Sequence, residues 1–98
     1  MVIMKKAEGS LLTLGLEGRL DSSSAPQLEC ELSTSLAGVK DLIFDFEKLE
    51  YLSSAGLRLL LATQKIMAKQ GSMKLIHVNQ EIKDVFDITG FSDILTIE

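Results

Sequence analysis

Apolar and polar residues alternate along much of this chain. In Leu11-Leu12-Thr13-Leu14-Gly15-Leu16-Glu17, Leu12, Leu14 and Leu16 share one face and Thr13, Gly15 and Glu17 the other. That two-residue period is the mark of a half-buried strand. Met1 to Lys6 predicts a short edge strand before it, with Glu8-Gly9-Ser10 as the connecting hairpin turn. Asp41 to Phe46 predicts a third strand, with Leu42, Phe44 and Phe46 on one face and Asp45 on the other beside Ile43. Met73 to Val78 predicts a fourth, and Ile94 to Ile97 a last short one. Glu47-Lys48-Leu49-Glu50 reads as a loop leading out of the third strand.

Between the strands the spacing changes to that of helices. Ser24 followed three residues later by Gln27, with Pro26 in the first turn, predicts a capping-box start. Leu28, Leu32, Ser35 and Leu36 then give an apolar stripe that ends at Gly38. A longer helix opens at Ser53-Ser54-Ala55-Gly56 and closes at Gly71. Leu57, Leu60, Leu61, Met67 and Ala68 form its stripe toward the sheet, broken by Gln64, while Leu59, Ala62 and Ile66 lie roughly a third of a turn away as an outer apolar strip. Arg58, Lys65 and Lys69 occupy a third sector, Arg58 being the i+4 neighbour of Ser54. Gln80 to Ile88 predicts a short helix capped by Asn79 and ended near Gly90. Strands and helices in this order predict one α/β domain over residues 1–98, a mixed sheet of about four to five strands with helices packed mainly on one face.

Composition narrows the function. The 98 residues are 46% hydrophobic and 24% charged, the balance of a soluble globular domain. A net charge of −4 without clustered Lys or Arg argues against a nucleic-acid partner. No apolar run reaches the roughly 20 residues of a membrane span, and Met1 to Lys6 lacks the order of a signal peptide, so a cytoplasmic protein without membrane insertion is expected. The single Cys30 permits no internal disulfide and lies off the helix stripe, a partly buried, passive thiol.

Catalytic signatures are thin. Ser53 and Ser54 have no base nearby in sequence, and neither a nucleophile elbow nor a phosphate-binding glycine loop is present. His77, read as a strand residue, and Cys30 cannot between them supply the three or four ligands of a zinc site. The plain reading of Asp21 is a turn or capping carboxylate, and of Asp45 a carboxylate bonded to the following loop. The serine pair is different. It opens a helix with no acid in its first turn, where free N–H groups and the helix dipole favour an anion by about 0.3–1 kcal/mol.

Four stretches together resemble the STAS domain, and within it the small stand-alone anti-sigma-factor antagonists of bacteria. Gly18-Arg19-Leu20-Asp21 looks like the family's Gly-x-Leu-Asp turn, and Leu42-Ile43-Phe44-Asp45-Phe46 like its central strand. Tyr51 to Leu57 looks like its Asp-Ser-Ser-Gly signature loop, and Ile88-Thr89-Gly90-Phe91 like its late Thr-Gly turn. Matching Gly56 to the family's glycine implies a phosphorylated serine at Ser54, with Ser53, where the family often has Asp, as the second candidate.

The resemblance implies a binding protein without catalytic residues, cofactor or metal. Its partner would be an anti-sigma factor that is also a serine kinase of the histidine-kinase-like ATPase type, with a serine phosphatase reversing the modification. The partner-binding surface would comprise Asp21, Ser22, Ser53, Ser54, Ala55, Gly56, Arg58, Leu59, Ala62 and Ile66. Other members imply two further readings: a non-catalytic adaptor subunit of a transport ATPase or stress-signalling scaffold and, ranked below it, a nucleotide sensor.

Overall fold

Each strand buries the side that its alternation marks. Leu12, Leu14 and Leu16 of β2 (Leu11–Leu20) and Leu42, Phe44 and Phe46 of β3 (Asp41–Leu52) are buried together. The computed structural model describes all of Met1–Glu98. Its remaining elements are β1 (Val2–Glu8), α1 (Ala25–Ser35), α2 (Ser54–Gln70), β4 (Ser72–Ile76), α3 (Gln80–Thr89) and a final 3-10 turn, Phe91–Asp93. The four strands lie in the order β1-β2-β3-β4, the first pair antiparallel and the other two parallel. The expected mixed α/β sheet is therefore present. Leu28 and Leu32 of α1, Leu57, Leu60 and Met67 of α2, and Ile82 and Phe86 of α3 join the same buried core, which leaves the opposite sheet face free of helices.

The third strand runs further than its first six residues indicate. Glu47 to Glu50 are strand, not loop, because β2 continues beside them as far as Leu20. Register shifts between Gly15 and Glu17 and between Gly18 and Arg19 let Leu49 and Leu52 turn inward while Lys48 and Glu50 stay out. Strict alternation would have buried the charged pair, and bulges of this kind re-aim side chains.

Smaller departures have similar local causes. In α1 the helix ends at Ser35, with Leu36 as C-cap, and Gly38 serves the turn beyond at φ 79°. Cys30 is exposed, not partly buried. On α2 the buried stripe is Gly56, Leu57, Leu60, Thr63 and Met67; Leu61 is half-buried and Ala68 exposed. Thr63 fits because its hydroxyl donates to the Leu59 carbonyl (2.8 Å) within the helix, leaving its methyl for the core. His77 lies outside β4 with φ 57°, so it is not a strand residue. Ile94 to Ile97 form no strand: the 3-10 turn ends just before this stretch with Ile94 as its C-cap, and only Ile97 bridges to Leu75. Gly71, by contrast, closes α2 as expected, and a Cβ there would stand 1.8 Å from the Lys40 carbonyl oxygen. The close passage of two backbones demands glycine at that point.

Candidate functional site

The end of β3 delivers the chain directly into the serine pair. Ser53 donates its N–H to the Leu20 carbonyl (2.9 Å), and its own carbonyl accepts from Leu57 (3.0 Å), which starts α2. The two hydroxyls then diverge. Ser54, the first helical residue, is exposed, whereas Ser53 Oγ is buried without a hydrogen-bond partner. Ser53 is thus the N-cap by position but gives no side-chain cap, and no acid sits in the first turn. Gly56 is buried directly beneath: a Cβ would lie 2.6 Å from Leu52 Cδ1 and 2.8 Å from Leu20 Cγ. Its contribution is to let the start of α2 sit down on the ends of β2 and β3, not to offer surface.

The neighbouring turn before α1 is held by its own side chains. Asp21 Oδ1 accepts from the Ser23 hydroxyl (2.7 Å), the Ser23 N–H (3.0 Å) and the Ser24 N–H (3.2 Å). Ser24 Oγ donates to the Arg19 carbonyl (2.7 Å) and accepts from the Asp21 N–H (3.0 Å). The capping box expected from Ser24 and Gln27 therefore does not form. Helical turning already begins at Asp21, whose carboxylate takes over the capping, and Gln27 reaches away to the Met1 carbonyl (3.2 Å). The Ser23 hydroxyl above all, then the backbone N–H groups of Ser23 and Ser24, hold the Asp21 carboxyl below its ordinary value against the opposing effect of burial. On the outer side Arg19 Nε stands 3.6 Å from Asp21 Oδ2, and the guanidinium lies over the Tyr51 ring at 4.1 Å.

Between the two helix starts lies a cavity of about 370 Å³. Ser22, Ala55, Arg58, Leu59 and Ala62 line it, so five of the surface residues expected from sequence converge there. Ile66 lies further along, in a second hollow of about 150 Å³ that shares Glu29, Leu59 and Ala62 with the first. The two form one groove between α1 and α2, its α2 wall largely apolar, with Arg58 at the serine end and Glu29 of α1 at the junction of the two hollows. Sequence reasoning missed its other wall: Ala25, Pro26 and Glu29. The small side chains at 25 and 26 and the i, i+4 spacing of Ala25 and Glu29 were the available signal. Asp21 braces the turn that presents Ser22 and lines neither hollow.

Comparison with known proteins places the chain among relatives of similar sequence and fold. A family model described as the STAS domain matches residues 2–98. BtrV of Bordetella bronchiseptica, a protein assigned as an anti-sigma factor antagonist, is 35% identical over 96 residues, 96% of this chain and 82% of that protein. The anti-sigma-B factor antagonist of Bacillus subtilis is 33% identical over 87 residues, 88% of this chain and 80% of that protein. Among solved structures, the anti-sigma factor antagonist SpoIIAA in its unphosphorylated form superposes with a TM-score of 0.78 at 22% identity, over 99% of this chain and 87% of that one. The Bacillus cell fate determinant SpoIIAA in its phosphorylated form gives 0.77 at the same identity, over 99% and 91%. These two structures carry the likeness of fold.

Proposed function

We propose, from the premise that this chain belongs to the STAS domain family and within it to the anti-sigma factor antagonists, that it works as a phosphorylation-controlled partner switch. Unmodified, it docks on an anti-sigma factor in the cytoplasm through the exposed Ser54 end of α2, the Ser22 turn and the groove between α1 and α2, and the sigma factor is released. The anti-sigma factor is itself a serine kinase of the histidine-kinase-like ATPase type. It transfers a phosphoryl group to Ser54, and a serine phosphatase removes it. The chain acts by binding, not by catalysis.

One observation carries this reading: of the two serines at the start of α2, Ser54 is open to solvent and Ser53 Oγ is buried. A kinase must reach the hydroxyl it modifies. Phosphate on Ser54 adds about −1.5 to −2 charges at pH 7, next to a groove wall that is mostly uncharged. In the free protein that charge meets the N–H groups of the first turn, with Arg58 one turn on. In an interface shaped for a neutral hydroxyl it would have to be desolvated, which is expensive for an unpaired ion. Release follows.

The test is a pull-down from native lysate with three baits: wild type, Ser54→Ala and Ser54→Asp. An acid at the first helical position is favourable by about 0.3–1 kcal/mol, so Ser54→Asp should melt no lower than wild type, and a loss of binding by it is not a loss of fold. The expected result is a histidine-kinase-like ATPase held by the first two baits and lost from the third. Retention of one and the same transporter or scaffold subunit by all three would instead make the chain a constitutive adaptor.

A further inference from the structure

The helix-free face of the sheet carries a second, separate constellation. Asp45 and Glu47 stand two residues apart on β3, on the side opposite the buried Phe44 and Phe46. Parallel pairing sets Asp45 beside Ile76, the last residue of β4, so the chain leaving β4 passes next to that carboxylate. There His77 adopts φ 57°, the one positive φ outside glycine. Its Nδ1 lies 2.9 Å from Asp45 Oδ1 and 3.6 Å from Glu47 Oε2. One ligand atom from each residue lies within 4.8 Å of the others.

We propose that Asp45, Glu47 and His77 form a binding site for a divalent first-row transition ion, with Asp45 Oδ1, Glu47 Oε2 and His77 Nδ1 as ligands and water in the remaining positions. Imidazole with carboxylates is a donor set such ions accept. Donors bonded to zinc at about 2.0–2.1 Å in a tetrahedron are about 3.3 Å apart, between the two distances His77 already makes. Asp45 is the best-held ligand: it is the least exposed of the three, and the Glu47 N–H fixes its Oδ1 at 3.0 Å. Counting only His77 and Cys30 as ligands hid this site, because its other donors are carboxylates.

Chain separation gives the site a consequence. His77 and Asp45 are 32 residues apart, so only the folded chain brings the donors together, and an ion bound there stabilises the fold by mass action. It would tie the middle of β3 to the segment that enters α3. Without an ion, a protonated imidazole between the carboxylates accounts for the same approach, so the experiment must separate the two.

Isothermal titration of the full, untagged chain with zinc chloride in a non-chelating buffer does so, with melting temperature followed in parallel. The expected result is saturable binding of one ion per chain and a higher melting temperature with zinc. Three variants locate the site. His77→Gly suits the left-handed backbone, Asp45→Asn keeps shape, and Glu47→Gln alters a residue that is 67% exposed and so leaves the fold intact. Each should weaken binding at least about tenfold, since even loss of an outer partner costs that much. Cys30→Ser, which removes the exposed thiol, should change nothing. No saturable heat at millimolar zinc overturns the proposal, as does undiminished binding by Glu47→Gln and Asp45→Asn, or loss of binding in Cys30→Ser.

Discussion

The two longest helices begin within one groove, each at a serine, and treat it in opposite ways. At α1, Ser24 is 8% exposed and its hydroxyl both donates and accepts, while Asp21 gathers the N–H groups behind it. At α2, the Ser53 hydroxyl is buried with nothing to bond, and the Ser54 hydroxyl points to solvent. The first start is closed by its own side chains. The second is held by packing, with Gly56 seated on Leu20 and Leu52, and by the Ser53 backbone, while its side-chain hydroxyls are left uncommitted. The proposed switch would gain from this division: a phosphate on Ser54 would change charge there without breaking a bond the fold depends on.

The strongest test of the contrast is Ser24→Ala. It leaves the Arg19 carbonyl and the Asp21 N–H without their partner in a part-buried turn, so urea unfolding should report a loss of about 1–3 kcal/mol. A loss under about 0.5 kcal/mol, the range of ordinary surface changes, would mean that the α1 start is no more committed than the α2 start.

Most of the fold was legible because periodicity reports burial. The alternation of Leu12, Leu14 and Leu16, the Asn79 cap of α3 and the Gly90 stop all stand where the pattern sets them, with Asn79 accepting from the Ile82 N–H at 2.9 Å. The losses came where one residue breaks the count. The shifted register opposite Gly15 to Arg19 turned an apparent charged loop, Glu47 to Glu50, into strand, and no local pattern announces a shift decided by the neighbouring strand. At the candidate site the residues on α2 were visible, whereas the facing wall on α1 was not. A groove is a relation between two elements, and helix spacing describes only one of them. The carboxylates around His77 were hidden for the same reason, since parallel pairing of β3 with β4 alone brings residue 77 to residue 45.

A smaller effect should appear in acid. The folded-state value of the Asp21 carboxyl lies below its ordinary 3.8, with the Ser23 hydroxyl as the main cause. Its stabilising contribution is therefore fully present above the unfolded value and lost as pH falls through the folded one. Urea midpoints of wild type and Asp21→Asn should differ at about pH 7 and converge toward about pH 3. An equal gap at both values would mean that Asp21 braces the turn by shape and not by charge.

The smallest expected effect is the most discriminating. If Ser53 capped α2, as a serine in that position ordinarily does, Ser53→Ala would cost about 0.5–2 kcal/mol. Here the extended backbone at φ −95°, ψ 176° sets the residue as N-cap, but its hydroxyl meets no N–H and is shut away from water. Replacing a buried, unpaired hydroxyl by hydrogen removes a desolvation cost and no bond, so the change should fall within about 0.5 kcal/mol of zero or be slightly stabilising. Under the proposed function the variant should also take up phosphate at the same rate as wild type from the proposed kinase, because the accessible hydroxyl is untouched. A loss of more than about 1 kcal/mol would show a working cap at Ser53. The two helix starts would then be alike, and the freedom of Ser54 would need an explanation other than an uncommitted helix end.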